Sequence, residues 1–342
     1  MISPLVGLKF LSGFYFIQGE SKIIEEEVFI GQSSRVPGFR LKSYQFQKSH
    51  PESTIILLHG MNSLGIDDPR IFKLAKIITY MGYRVLVPEV QDIKNLIIRE
   101  QSITSLESVL RTLIESYRLE EKHLGLFGVS FSGGMGLLSL CQSGLDSSFQ
   151  SILALGSYSN FETTIPYVVE NFDSDNYGTF ILFYNFIENI VKNSDFLKSI
   201  FYEAALDNAL YRKGENAIAP KIFEKLNERD RDIYNKVLYQ KDFRFFLQNE
   251  ISVKSRSLIR NLSPINKIDS LKVPLFLVHG KSDKVISETE SINLALKLEK
   301  LNKEVKLEIT ELLSHGDTRT AWMGLKDVPG LSNIFGSFFN KI

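Results

Sequence analysis

Residues 124–134, LGLFGVSFSGG, decide how the rest of the chain is read. LGLFG is a short apolar run, the pattern of a strand buried on both faces. From residue 132 a small-residue helical pattern runs to Cys141. Ser130 stands at the turn between the two. A sharp strand-to-helix turn of this kind lifts a serine hydroxyl above a sheet, at the N-terminus of the following helix. Strand and helix backbones pass close together there, so the flanking residues must be small. Gly128 meets that requirement. Ser132 stands where the usual pattern has glycine, with Gly133 directly after it. This reads as a mild departure that costs strain without removing the site. Taken alone, Ser130 is equally a turn serine.

The chain on either side repeats the alternation. Strand-type runs are expected at 26–31, 41–47, 54–58 (TIILL), 84–88 (RVLVP), 151–156 (SILALG), 274–278 (PLFLV) and 306–310 (KLEIT). Between them apolar residues recur at helical spacing over 69–81 and 103–117, and again after the capping-box pattern Ser287-Glu288-Thr289-Glu290. Such alternation implies an α/β protein with a mostly parallel sheet and helices on both faces. It stops over residues 162–261, which are helical, aromatic and charged. The expected organisation is an apolar N-terminal arm (1–24), a core built from 25–161 and 262–342, and a helical insertion (162–261) of small-domain size.

Ligands bind at the C-terminal ends of strands in open α/β sheets, and further candidate residues fall there. Asp283 follows the strand PLFLV in His279-Gly280-Lys281-Ser282-Asp283. His315 follows the last strand in Ser314-His315-Gly316-Asp317. In the order Ser130, Asp283, His315, the histidine would take the serine proton as general base and return it to the leaving group. Asp283 would hold the imidazole tautomer. Asp317 is a rival acid but stands too near His315 in sequence. The loop after SILALG offers no acid before Glu162. His59-Gly60-Met61-Asn62 follows TIILL, and the backbone N–H groups of Met61 and Phe131 are the candidate oxyanion donors. His59 and His279 read as packing or hydrogen-bonding residues. Asp67 and Asp68 read as complements to a helix N-terminus, with Arg70 as an option for an anionic substrate group.

The blocks LLHG (57–60), GVSFSGG (128–134), LSPINKI with VPLFLVHGKSD (262–283) and SHGD (314–317) resemble the α/β-hydrolase superfamily, over about half the chain. The chain looks most similar to bacterial hydrolases of the lysophospholipase or esterase type. The resemblance implies an α/β-hydrolase fold and a serine hydrolase with a helical cap over its site.

Composition narrows the remaining classes. Forty Lys+Arg balance forty Asp+Glu, so no charge excess draws the 342-residue chain to nucleic acid. One cysteine excludes an intramolecular disulfide and a cysteine-based zinc or iron–sulfur site. The five histidines show no metal-ligand spacing, and no cofactor or metal is expected. Residues 2–17 are too short to span a bilayer and carry no signal-peptide pattern, so a cytoplasmic location is expected. They read as a packed arm or, alternatively, as a peripheral anchor making weak contact with a membrane surface through Phe10, Phe14, Tyr15 and Phe16. Twenty-five phenylalanines against one tryptophan concentrate in the insertion and the arm. They read as packing, with a subset roofing an apolar pocket.

The expectation is a serine hydrolase that cleaves a small, apolar carboxylic ester or thioester through an acyl-enzyme on Ser130. A peptidase or amidase of the same fold is the alternative, and a catalytically silent binding module is another. Composition and spacing do not address oligomeric state.

Overall fold

The computed structural model describes residues 3–16, 22–31, 38–47, 51–119, 123–314, 317–318 and 325–342. Eight strands form one sheet: β1 (Ile23–Ile30), β2 (Phe39–Phe46), β3 (Ser53–Leu58), β4 (Arg84–Pro88), β5 (His123–Val129), β6 (Ser151–Leu155), β7 (Leu275–Gly280) and β8 (Val305–Thr310). Their spatial order is β1-β2-β4-β3-β5-β6-β7-β8. The pairs β1–β2 and β2–β4 are antiparallel, and every pair from β4 to β8 is parallel.

The core helices are α1 (Ser3–Phe16), α2 (Pro69–Tyr80), α3 (Gln91–Lys94), α4 (Gln101–Tyr117) and α5 (Phe131–Ser143). Between β6 and β7 lie α6 (Phe161–Glu170), α7 (Tyr177–Phe186), α8 (Asp195–Ala209), α9 (Ala219–Phe223), α10 (Glu228–Tyr239), α11 (Lys241–Lys254) and α12 (Arg256–Asn261). The chain closes with α13 (Glu288–Lys300) and α14 (Val328–Phe339). None of the described helices is long and apolar enough to cross a membrane.

Alternation along each strand sorts the core into two layers. Ile56, Leu58, Leu126, Ala154 and Leu277 face α4, α5 and α13. Ile55, Leu57, Phe127, Leu153 and Phe276 face α2 and α14. From β3 the chain steps outward to β4, then returns past β3 to β5. The helices that follow β3 and β5 therefore lie on opposite faces. The loops after these two neighbouring strands open at the sheet's topological switch point, with Leu58 paired to Gly128 at the strand ends. The insertion's buried residues, including Phe183, Phe201, Val237 and Leu247, are continuous with the α4/α5 layer.

The N-terminal segment is a helix packed on the domain. β1 begins at Ile23, two residues inside the arm as bounded from sequence. Helices α1 and α14 cross with their backbones touching. A Cβ at Gly7 would lie 1.8 Å from the Ser332 carbonyl oxygen, and one at Gly336 would lie 1.6 Å from that of Ser3. Phe10 is buried against Phe335 and Phe339, with centroids 4.6 and 5.1 Å away. Of the two readings of the arm, Phe10 follows the packed one and is not presented to a membrane. Phe14 is half-buried, with its ring 5.5 Å from Phe10, whereas Tyr15 is exposed. The Phe16 side chain lies outside the described residues.

The crossing gives a stability test. Gly336→Val should lower the urea-unfolding free energy by about 1–3 kcal/mol, since any side chain there overpacks the crossing. Leu8→Ser, on the exposed face of α1, should change it by less than about 0.5 kcal/mol. Equal effects would mean that the two helices do not cross as described.

Candidate active site

Ser130 is the N-cap of α5, with φ 57° and ψ −132°. A positive φ is costly for a residue with a Cβ, on the order of 1–3 kcal/mol for such a strained position. The surroundings impose it. The Ser130 N–H continues the sheet by donating to the Leu155 carbonyl at 2.7 Å, while the Ser130 carbonyl already accepts from Gly133 N–H at 3.0 Å. The residue must end a strand and start a helix at once. A Cβ at Gly128 would fall 2.6 Å from the Gly133 Cα, and one at Gly133 would fall 2.9 Å from Ser157 Oγ. The glycines that permit the crossing are thus Gly128 and Gly133.

Ser132 does not add strain, contrary to the sequence expectation. Its φ is not among the positive values, and its side chain is fully buried. Its hydroxyl accepts from Val129 N–H at 3.3 Å and faces the carbonyls of Val129 and Leu58 at 2.9 and 3.1 Å. One proton serves either acceptor. The hydroxyl thereby links β5 to β3 beneath the turn.

The β3–α2 loop lies beside the serine, since a Cβ at Gly60 would be 3.6 Å from the Ser130 Cβ. His59 is buried, and its Nε2 accepts from Val90 N–H at 3.1 Å. The proton therefore sits on Nδ1, which donates to the Gly60 carbonyl at 2.9 Å. Burial pushes the His59 pKa down, keeping the ring neutral. Because a peptide unit is planar and trans, fixing the Gly60 carbonyl also fixes the Met61 N–H, which points the opposite way. The Phe131 N–H is the first amide of α5 and has no intrahelical acceptor. Both oxyanion candidates thus belong to adjoining loops at the switch point.

Asp68 caps α2 by accepting from Arg70 N–H at 2.8 Å. Its carboxylate also pairs with the Arg70 guanidinium at 2.7 Å and accepts from Asn62 Nδ2 at 3.1 Å. Arg70 is therefore engaged by the cap. Asp67 accepts from Arg40 and Lys42 of β2 at 2.9 and 2.7 Å, tying the loop to the antiparallel edge.

Asp283 lies in the loop after β7 and is buried. Its Oδ1 accepts from the N–H groups of Val285 and Ile286 at 2.8 and 3.1 Å. Its Oδ2 lies 3.9 Å from where a Cβ of Gly156 would be, which puts the carboxylate over the end of β6. His279 is fully buried, with Nε2 donating to the Ile286 carbonyl at 2.9 Å and Nδ1 2.8 Å from Ser291 Oγ. Its 3.9 Å approach to Asp283 is too long for a hydrogen bond. His315 lies outside the described residues, as does the side chain of Asp317. Leu313 lies against the end of β7, where a Cβ at Gly280 would meet the Leu313 carbonyl oxygen at 2.5 Å.

Glu290 takes a role that the capping-box reading misses. Ser287 caps α13 through Thr289 N–H at 3.3 Å, but Glu290 turns inward. Its buried carboxylate accepts from Ser159 N–H and Asn160 N–H at 3.0 and 2.7 Å, and from the Ser159 and Thr163 hydroxyls. This is where the chain leaves the sheet for the insertion. The return point is tied to the same place, with Phe161 N–H donating to Ser263 Oγ at 2.9 Å. Two tyrosines of the insertion, Tyr167 and Tyr177, also reach the core loops, and the sequence alone singles out neither. No local signal marks them, because an aromatic-rich helix looks the same whichever ring touches a loop.

The insertion's phenylalanines mostly pack on one another. Phe180 and Phe183 lie 6.3 and 5.4 Å from Phe201, and Phe172 lies 5.6 Å from Phe180. A cavity of about 570 Å³ opens within the insertion, lined by Phe172 and Phe180 together with Asp173, Asp175, Asp207 and Arg212. Its wall is mixed in polarity, unlike an apolar acyl pocket.

Among the described residues no cluster of His, Cys, Asp and Glu could hold a metal ion. No family model matches the sequence, and no curated protein matches it. Solved structures do. An acylaminoacyl peptidase from Pyrococcus horikoshii superposes with a TM-score of 0.55 at 14% identity, over 96% of this chain and 43% of that one. An esterase from Pyrococcus furiosus gives 0.51 at 15% identity, over 93% and 91%. Esterase B from Lactobacillus rhamnosis gives 0.54 at 11% identity, over 98% and 91%. The chain spans less than half the length of the peptidase. Together with the strand order and the Ser130 turn, these likenesses identify the fold as that of the α/β-hydrolases.

The charge brace on the β3–α2 loop gives a pH test. Hydrogen bonds from Arg40, then Lys42, hold Asp67 at a pKa of about 2, below its ordinary value. A lowered carboxylate pKa stabilises the fold above the ordinary carboxylate range, and that contribution is lost as pH falls through the folded-state value. The difference in urea midpoint between the wild type and Asp67→Asn should therefore be full at pH 6. It should shrink from roughly pH 4 to pH 2 and under high salt. A difference that persists unchanged at pH 2 would contradict the ion pair.

Proposed function

We propose that the chain is a serine hydrolase that transfers an acyl group from a carboxylic ester or thioester to water. The observation that carries this reading is Ser130 at the head of α5, held at φ 57° and ψ −132° at the sheet's switch point. Strain of that kind at a residue with a Cβ persists where its surroundings over-determine it, and such positions cluster at catalytic sites. Ser130 Oγ attacks the substrate carbonyl carbon while His315 takes its proton. Asp283 orients the imidazole and stabilises its charged form. The Met61 and Phe131 amides receive the oxyanion. Collapse breaks the bond to the alkoxide or thiolate leaving group, which departs with the proton from His315. Water, deprotonated by the same imidazole, then releases the acid and regenerates Ser130.

Esterases among the structural neighbours support the ester reading. A peptidase or amidase reading stands beside it, because acylaminoacyl peptidases share the fold over nearly the whole of this chain. A small apolar substrate accords with the neutral net charge, and contact of the α1 outer face with a membrane surface remains part of the proposal.

A fluorophosphonate probe tests the mechanism. The wild type should be labelled covalently on Ser130, and Ser130→Ala should not be. Ser130→Ala and His315→Ala should each retain the folded circular-dichroism spectrum and lose at least about a thousand-fold in kcat. A folded wild type that neither labels nor turns over would indicate a binding module. A panel of p-nitrophenyl esters against aminoacyl p-nitroanilides separates the ester and amide readings by relative kcat/KM.

A further inference from the structure

The helical insertion puts one tyrosine hydroxyl on each of two loops that flank the Ser130 strand. Tyr177, the first residue of α7, donates from its hydroxyl to the Met61 carbonyl at 2.8 Å. Tyr167 of α6 donates from its hydroxyl to the Asp283 carbonyl. The loop after β3 receives the first hydrogen bond and the loop after β7 the second. In the sheet order β3-β5-β6-β7 they stand on either side of the serine.

The two helices that carry these rings are joined to each other. Thr179 Oγ1 on α7 donates to the Val168 carbonyl on α6 at 2.8 Å. A Cβ at Gly178 would lie only 3.1 Å from Val168 Cγ1, so the helices touch there. Two turns on from Tyr177, Asn185 grips the core loop after α3. Its Nδ2 donates to the Leu96 carbonyl at 2.8 Å, and its Oδ1 accepts from Ile98 N–H at 2.7 Å. Tyr177, Ile181 and Asn185 recur every four residues and so share one face of α7. The α6–α7 pair therefore forms one bracket seated on three core loops.

The hydrogen bond at Met61 bears on the oxyanion donor. The peptide unit before Met61 Cα is held through the Gly60 carbonyl by His59. The unit after it is held through the Met61 carbonyl by Tyr177. With both planes fixed, the Met61 N–H has no freedom to turn from the site. At the other foot, Tyr167 fixes the carbonyl of Asp283, whose carboxylate is already anchored by Val285 and Ile286 N–H.

We infer that Tyr167 and Tyr177 are positioning residues through which the insertion assembles the oxyanion donor and the orienting acid. The site is then competent only while α6 and α7 are seated. This inference rests on the serine hydrolase reading. Burial raises the pKa of both phenols, so both remain donors at neutral pH.

The test compares Tyr167→Phe, Tyr177→Phe and the double variant in the full chain, each keeping the ring and removing only the hydroxyl. Tyr202→Phe, from a ring that packs on Tyr184 in the same insertion, serves as the control. With p-nitrophenyl butyrate, each single variant should lose about three- to ten-fold in kcat, the size of one hydrogen bond, with KM within two-fold of wild type. Fluorophosphonate labelling of Ser130 should slow in parallel, and Tyr202→Phe should match the wild type. Amide hydrogen exchange over residues 59–65 should quicken in Tyr177→Phe, and over 281–286 in Tyr167→Phe. Two outcomes overturn the inference: kcat within two-fold of wild type in both single variants, or an equal loss in the control. If the wild type itself is silent to ester and probe, the hydrolase reading fails. The exchange data then decide the positioning role alone, and unchanged exchange in both variants overturns it.

Discussion

The close approach of β5 and α5 is the constraint on which the rest of the site depends. A sheet strand and a helix can pass with their backbones touching only where neither carries a side chain, which is the case at Gly128 and Gly133. So tight a crossing leaves too few residues to reverse the backbone gently. Ser130 therefore takes a positive φ where the strand turns into the helix. Ser132 occupies the space beneath and uses its hydroxyl to bind β5 to β3. One crossing thereby fixes the serine and joins it to the strand that leads into the neighbouring loop.

Second to that crossing is the way the insertion is fastened. Departure and return meet at Ser159–Phe161 and Ser263, under the buried carboxylate of Glu290. A carboxylate in that position is satisfied by four donors from the segment it holds, which meets the requirement that a buried charge be fully hydrogen-bonded. Tyr167, Tyr177 and Asn185 then seat the outgoing helices on the core. The insertion is continuous with one core layer, so its aromatic residues are part of the same packed interior that supports α4 and α5.

Much of the fold was legible because strand and helix periods differ. The runs TIILL, LGLFG and PLFLV carry apolar residues on both faces, Thr54 being the one polar residue among them, because both faces of those strands are covered, and all three belong to interior strands of the sheet. The helix expected over 69–81 ends at Tyr80; of the two acids read as complements to its N-terminus, Asp68 caps it and Asp67 pairs with Arg40 and Lys42 instead. The departures from the sequence reading share one origin. Ser132 and Glu290 are read from neighbours in sequence, and each is governed by a partner far along the chain: Ser132 meets Leu58, and Glu290 meets Asn160. Phe10, for which sequence leaves packing and membrane contact both open, is likewise decided by a distant partner, Phe335.

By itself the sequence determined the alternation of strand and helix, the place of the insertion, and a serine at a strand-to-helix turn. These follow from hydrophobic periodicity and from turn residues, which act over a few positions. Only the tertiary structure decided which glycines allow the crossing and which proton His59 carries. It alone showed Arg70 held by the helix cap, and the two tyrosine hydroxyls bound to the loops on either side of Ser130. The physical reason is that hydrogen bonds and touching backbones demand atoms within about 3 Å, and residues 116 positions apart reach that distance only once the sheet has folded.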